Sequence, residues 1–133
     1  MEDIYLYIKL LLALVCGGII GWERQIYHKY AGMRTHTLVC IGTALLTALA
    51  VDIYGITDMA GRIVAGIITG IGFLGAGMIM NGKGNVRGLT SAATIWITGV
   101  IGIIVGYGYY FLGAVATLVT ILTLLLKEIK NNN

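Results

Sequence analysis

The segment IVAGIITGIGFLGAGMIM, residues 63–80, decides the fold of this 133-residue chain, because it contains no charged residue and no proline. An apolar segment of ~20 residues is long enough to cross a bilayer as a helix. Four other segments have the same character. The predicted spanning helices cover residues 4–22, 36–54, 62–81, 89–106 and 108–127. The sequence therefore predicts an all-α polytopic transmembrane bundle, with residues 1–133 forming a single transmembrane domain.

The composition supports this interpretation. Charged residues make up 11% of the chain, whereas soluble domains carry roughly 25%, so there is too little charge to cover a soluble surface. The weakest boundary is Gly106-Tyr107-Gly108, which separates the last two segments. It reads as a tight turn, and the alternative is one long broken helix, which gives four spans and places Asn133 outside.

The distribution of charge predicts the orientation, because Lys and Arg collect in cytoplasmic connections. Seven of the nine basic residues fall on one side of the predicted membrane: Arg24, Lys29, Arg34, Lys83, Arg87, Lys127 and Lys130. The other side holds Glu2, Asp3, Asp52 and Asp58, with Arg62 as its one clear base. Most tyrosines fall at this second side, as in an aromatic belt. We therefore expect the N-terminus outside and the C-terminus in the cytoplasm.

Glycines are abundant inside the predicted helices. Residues 70–75 match the G-x-G-x-x-G pattern, but a dinucleotide site needs a strand before it and a βαβ unit around it. Here the pattern lies in an apolar helix, and close helix packing is the preferred interpretation. The alternative is local unwinding of the third helix beside protein or water. The predicted packing glycines are Gly17, Gly21, Gly66, Gly70, Gly72, Gly75, Gly77, Gly102 and Gly106.

Hydroxyl residues also repeat at helical spacing. Thr90, Thr94 and Thr98 share one face of the fourth helix, and similar stripes follow the second and fifth helices. Each hydroxyl can bond back to its own helix carbonyl. Alternatively, the three stripes form a shared polar interior. Trp96, midway along the fourth helix, is expected in the core or in a cavity wall.

Polar residues are predicted to meet where three helices reach the cytoplasmic boundary. The expected site combines Glu23 and Arg24 with Arg34, Thr35 and His36, and is completed by Thr90 and Thr94. Helix N-termini favour anions, so this site is expected to hold a carboxylate, either that of Glu23 or that of an acidic ligand. The alternative is that these charges only mark topology and contact phospholipids.

A second polar feature is predicted on the outer side. Asp58 and Arg62 have the i, i+4 spacing of a helical ion pair. A base at a helix N-terminus is disfavoured by the helix dipole, so Arg62 is expected to have an acidic partner, either Asp58 or Asp52.

Several function classes lack support in the sequence. No acidic residue lies near the middle of a predicted span, although ion-coupled transporters usually carry one. The hydrolase and metalloprotease motifs are absent, and the basic residues form no nucleic-acid patch. We therefore expect neither an enzyme nor a metal or cofactor site. The expected partners are the lipid bilayer, a second copy in a homodimer or larger homo-oligomer, and possible membrane-protein partners, with no nucleic acid.

Four blocks in a fixed order resemble the MgtC/SapB family: GGIIGWER at 17–24, AGMRTH at 31–36, GIGFLGAG at 70–77 after Arg62, and VRGLTSAATIW at 86–96. Met33 stands where that family usually has Leu, and Ser91 where it usually has Thr. Many members continue into a soluble C-terminal domain, which is not expected here.

The resemblance implies a multi-pass protein of the bacterial inner membrane. Members are associated with growth under magnesium limitation and, in some pathogens, with survival inside host cells. The resemblance therefore implies a role in magnesium homeostasis, exerted by modulating other membrane machinery. A small channel or carrier with a polar pocket is the alternative, and a purely structural oligomerising module is a third interpretation.

Overall fold

The computed structural model describes the backbone of residues 2–82 and 84–131, and the side chains of the same residues except 2, 81, 82, 85 and 127–131. Lys83, Asn133 and the side chains of Glu2, Lys127 and Lys130 therefore lie outside the described residues. Part of the charge asymmetry that predicts the orientation falls on these positions.

Five helices make up most of the described chain. They are α1 (Glu2–Ile26), α2 (Met33–Tyr54), α3 (Asp58–Gly77), α4 (Leu89–Gly106) and α5 (Tyr110–Asn131). The first four are long and apolar enough to cross a membrane, and α5 carries a shorter apolar stretch, Tyr110–Leu126. The predicted all-α bundle of about five apolar helices is confirmed.

A short β-hairpin, which the sequence did not predict, connects α3 to α4. Strands β1 (Met80–Gly82) and β2 (Asn85–Arg87) pair antiparallel, with Met80 opposite Arg87. The hairpin shortens the third helix, which ends at Gly77 and not at residue 81. The helices around the first connection are longer than predicted, so that connection is reduced to a turn at residues 27–32.

The last two apolar segments are separate helices. Helix α4 ends at Gly106 and α5 begins at Tyr110. Gly108 between them has φ +95°, in the left-handed region that favours glycine. A single long broken helix, the alternative that the sequence left open, is therefore not formed.

Helix α4 lies at the centre of the bundle and packs against α1, α2, α3 and α5. Its apolar side chains join two core clusters. Ile101 and Val105 pack with Ala13, Cys16, Ile20, Cys40 and Ala44 between α1 and α2. Ile95 and Ile103 pack with Ala31 and Ile71 on the side of α3. Trp96 on the same helix is 45% exposed. It therefore lies on the surface of the bundle, and not in the core or in a cavity wall as expected.

Four of the predicted packing glycines let α1 and α4 approach α2 closely. A Cβ at Gly17 would lie 2.7 Å from Cys40 Cβ, and one at Gly21 would lie 2.5 Å from Met33 Cα. On α4, a Cβ at Gly102 would lie 2.5 Å from the Cys40 carbonyl oxygen, and one at Gly106 would lie 2.6 Å from Thr47 Cβ. No side chain larger than hydrogen fits these contacts without moving a helix.

The glycines of α3 behave differently. A Cβ at Gly75 would make ordinary contact with Ala92, 3.4 Å from its carbonyl oxygen. A Cβ at Gly66, Gly70, Gly72 or Gly77 would meet no atom within 4 Å. These four glycines therefore do not pack against another described helix of the same chain, and α3 remains the most exposed of the four long apolar helices.

Candidate functional site

We refer to the end of the bundle that carries the turn at residues 27–32 and the β-hairpin as the hairpin end. Helices α1 and α3 finish there, and α2 and α4 begin there. Each helix therefore contributes its terminal turn to one region of the molecule. This is the region in which the sequence predicts a polar site.

Two charged side chains are buried at the hairpin end, on the last turns of α1. Glu23 is 7% exposed and Arg24 is 3% exposed. Arg24 Nη1 lies 3.8 Å from Glu23 Oε2, so the pair has opposite charges at the outer limit of ion-pair distance. Ionised side chains are almost never buried to this extent unless they are paired. Their burial marks this end of α1 as a structured polar site.

Arg24 also joins α1 to α4. Its Nη2 donates a hydrogen bond of 3.3 Å to Ser91 Oγ, across 67 positions of sequence. Ser91 itself is 3% exposed. A hydrogen bond to a charged group contributes about 1.5–3 kcal/mol, and removing one buried partner leaves the other desolvated. Ser91 therefore belongs to the site, although the sequence prediction did not include it.

His36 joins α2 to α4 in the same region. The ring is fully buried. Its Nδ1 lies 2.8 Å from the Gly32 carbonyl oxygen, and its Nε2 lies 3.2 Å from Thr94 Oγ1. Because a carbonyl oxygen only accepts, Nδ1 must carry the proton that it donates to Gly32. Thr94 Oγ1 also lies 2.7 Å from the Ser91 carbonyl oxygen, so its one proton has two acceptors within reach in the neutral-ring form.

These contacts form one continuous chain, which we call the polar chain: Glu23, Arg24, Ser91, Thr94 and His36. It runs from α1 through the first turns of α4 to the first turns of α2. Each link is between groups that are buried. The chain therefore fixes three helix ends relative to one another.

The other predicted site residues do not lie inside this chain. Arg34 and Thr35 are exposed on the first turn of α2. Successive helical residues are rotated by about 100°, so a buried His36 turns the two preceding side chains toward the surface. Thr90 is half-buried beside Ser91. The buried face of α4 thus follows residues 91, 94 and 98, and not the predicted stripe 90, 94 and 98.

The signal for Ser91 was present in the sequence. Ser91 and Thr94 are three residues apart and Thr98 follows four later, which is the spacing of one helix face. The spacing of four residues between the threonines predicted Thr90 on this face, whereas the structure has Ser91 there.

Asp58 and Arg62 lie at the opposite end of the bundle. Both side chains are exposed, and the structure shows no ion pair between them. Water competes effectively for exposed charges. Asp58 is therefore not an ion-pair partner of Arg62 in this structure.

The hydroxyl stripes are satisfied mainly within their own helices. The hydroxyls of Thr43, Thr98 and Thr117 donate to the carbonyls of Cys40, Thr94 and Gly113, at 3.2, 2.6 and 2.8 Å. Thr120 and Thr123 bond back in the same way. Thr47 differs, because its Oγ1 is buried with no hydrogen-bond partner in the part of the chain described. Local back-bonding, one of the two interpretations of the stripes, accounts for most of these hydroxyls.

No group of three or more His, Cys, Asp or Glu side chains that could hold a metal ion occurs among the described residues. Of the acidic side chains described, Glu23 is the buried one. Cys16 and Cys40 are buried free thiols in the apolar core. The polar chain at the hairpin end consists of one carboxylate, one guanidinium, one imidazole and two hydroxyl-bearing residues.

Comparisons with known proteins agree with the motif blocks. A family model described as "MgtC family" matches residues 10–132. The chain is 43% identical to "Putative magnesium transporter YhiD" of Escherichia coli (strain K12), over 88% of this chain and 58% of that protein. It is 43% identical to "Protein SrpB" of Synechococcus elongatus, over 87% of this chain and 71% of that one.

It is also 42% identical to "Protein MgtC" of Salmonella typhimurium, over 91% of this chain and 52% of that one. The chain thus spans between about half and about seven-tenths of the length of these curated relatives. No solved structure matches it.

Proposed function

This chain belongs to the MgtC family, and we propose that it acts in magnesium homeostasis by modulating other proteins of the bacterial inner membrane, without carrying the ion itself. It is a multi-pass membrane protein. The proposed orientation has the hairpin end in the cytoplasm.

The observation that carries the proposal is the polar chain. It connects buried groups of three helices to one another, which supports a role in holding the bundle together. A path for Mg²⁺ requires oxygen ligands and water along its length, because the ion keeps much of its hydration shell. Beyond the hairpin end, the described side chains packed around Ile101 and Val105 of α4 are apolar, the Thr98 hydroxyl bonds to its own helix, and Thr47 contributes one buried hydroxyl.

The alternative is a small channel or carrier. The name of the E. coli relative, putative magnesium transporter, favours this alternative. The two functions separate in a purified system. We propose to measure Mg²⁺ uptake into proteoliposomes that contain the full chain, with empty liposomes as the control. The modulator proposal expects no uptake above the control, while the same gene restores growth of a deletion strain in low magnesium. Mg²⁺ flux through the purified chain alone would overturn it.

Self-association is part of the proposal, with a homodimer favoured. The outer faces of α2 and α3 enclose an open apolar groove of about 630 Å³, lined in part by Gly42, Gly66 and Gly70. Glycine surfaces let a second helix approach its backbone closely inside a bilayer. Because a twofold interface uses the same patch on both copies, the glycine face of α3 from a second copy is the proposed occupant.

A further inference from the structure

We propose that the hairpin end contains a binding site for a phosphate group, which we call the basic pocket. It is a cavity of about 270 Å³, lined by Arg24, Lys29 and Arg87 together with Tyr30, Thr90 and Ser91. The site lies beside the polar chain and shares Arg24 and Ser91 with it. It does not depend on the role in magnesium homeostasis, because binding is measured on the purified chain.

The charges that line the basic pocket are all of one sign. Arg24 comes from α1, Lys29 from the following turn and Arg87 from β2. No acidic side chain is among its described lining residues. An anion bound in the cavity would interact favourably with each of these cations, although Glu23 offsets part of the charge of Arg24. Arg24 is held in place by its bonds to Ser91 and Glu23, so one of the three cations is already ordered.

The first turn of α4 opens on the same pocket and supplies further donors. The first backbone N–H groups of a helix have no partner within it, and here Thr90 and Ser91 both line the pocket. The N-cap residue is Gly88, and no side chain caps the helix. The positive end of the helix dipole therefore borders the cavity, and no side chain of the N-cap residue caps it.

Gly88 cannot be replaced by a residue that would cap the helix. Its φ of +81° lies in the left-handed region. A Cβ at this position would collide with the carbonyl oxygen of Met78, where the chain leaves α3. The packing of the hairpin thus excludes the Ser, Thr or Asp that usually satisfies these N–H groups. An oxyanion from outside the chain would satisfy them.

Size and position select the class of anion. The pocket is smaller than the ~300–1,000 Å³ of pockets that bury drug-sized ligands, so it suits a phosphate group and not a whole nucleotide. It lies at the ends of apolar helices, which is the level of lipid headgroups if these helices span a bilayer. The phosphate can therefore come from an anionic phospholipid or from soluble phosphate, and both present the same oxygens to Arg and Lys.

The experiment uses the full chain purified in a non-ionic detergent. Inorganic phosphate is titrated in one arm, with chloride at matched ionic strength, and the backbone amide shifts of Thr90 and Ser91 are followed by NMR. In the other arm, native mass spectrometry counts phosphatidylglycerol and phosphatidylcholine molecules retained from mixed vesicles. A response to phosphate identifies a soluble ligand, and selective retention of phosphatidylglycerol identifies a lipid headgroup.

Two variants and one matched control test the location. Arg87→Gln and Lys29→Gln should each weaken binding of the responding probe about tenfold, since each removes one charge-assisted contact. Arg62→Gln removes the same charge as Arg87→Gln at the opposite, exposed end and should bind like wild type. Failure of both probes to bind wild type, or equal weakening by Arg62→Gln, would overturn the basic pocket.

Discussion

Replacing one glycine by alanine should destabilise the bundle at Gly106 but not at Gly72. Gly106 faces α2, and a Cβ there would lie 2.6 Å from Thr47 Cβ and 2.7 Å from the Ala44 carbonyl oxygen. Ordinary contacts of a Cβ begin at 3.4 Å, so α4 and α2 would have to separate by most of an ångström. The obstructing atoms belong to backbone and to a β-carbon, and neither can rotate away.

The expected loss is about 1–3 kcal/mol, the usual cost of forcing extra carbon into a well-packed interior. Gly72 provides the matched control, because it also lies inside a helix, has no atom within 4 Å of the added Cβ and does not line the groove proposed for the second copy. There the gain in helix propensity, up to ~1 kcal/mol, is not opposed by a clash. Gly72→Ala should therefore be neutral or slightly stabilising.

Thermal unfolding in one detergent at fixed protein concentration, followed by circular dichroism, measures both variants. Gly106→Ala should lower the midpoint by several degrees, and Gly72→Ala should leave it unchanged or raise it. Equal midpoints for the two variants would refute the reasoning, because they differ in the contact that α2 makes and not in chemistry.

Three further predictions concern the site, the orientation and self-association. Arg24→Lys should reach the membrane normally but fail to restore growth in low magnesium, because an ammonium cannot contact Ser91 and Glu23 as the guanidinium fork does. Arg34→Lys, at an exposed position, should restore growth, and equal growth of both variants would remove the case for Arg24 as a site residue. Cysteines at position 83, outside the described residues, and at exposed Ile56 should label from the cytoplasm and from outside respectively, and the opposite labelling would reverse the orientation. Gly70→Leu should fill the open face of α3 and abolish dimer crosslinking without lowering thermal stability, whereas persistent crosslinking would exclude that face as the interface.

Much of the fold could be predicted from the sequence because the bilayer imposes a single strong rule. Each apolar segment of sufficient length becomes a helix, and each of the five predicted segments is one. The errors lie at the ends. Helix α3 stops at Gly77 because the next residues pair as a hairpin, with Met80 opposite Arg87. The apolar sequence does not predict this end of the helix, because Ile79 and Met80 are also compatible with a helix.

The site was predictable only to the level of its region. Sequence spacing brought Glu23, Arg24, His36 and Thr94 to one end of the bundle, but it could not fix the rotation of α2. Once His36 is buried against Thr94, Arg34 and Thr35 face outward. The same part of α2 is in close contact with Gly17 and Gly21 of α1. Such contacts depend on both helices at once and have no signature in either alone.

The two glycine classes also explain why a polar chain can persist inside an apolar bundle. Gly17 and Gly21 hold α1 close against the first turns of α2, and Gly102 and Gly106 hold the last turns of α4 close against the middle of α2. The short side chains of His36 and Thr94 therefore meet across the helices, while the longer Arg24 side chain reaches from α1 to Ser91. An unpaired charge there would cost several kcal/mol. The hydrogen bonds of the polar chain and the close packing of the helices therefore depend on each other. Helix α3 joins this packing on one side, where Ile71 lies tightly against Gly99 of α4 and Gly75 contacts Ala92. Its glycines 66, 70, 72 and 77 meet no described atom within 4 Å, and this open face is the one proposed above for contact with a second copy.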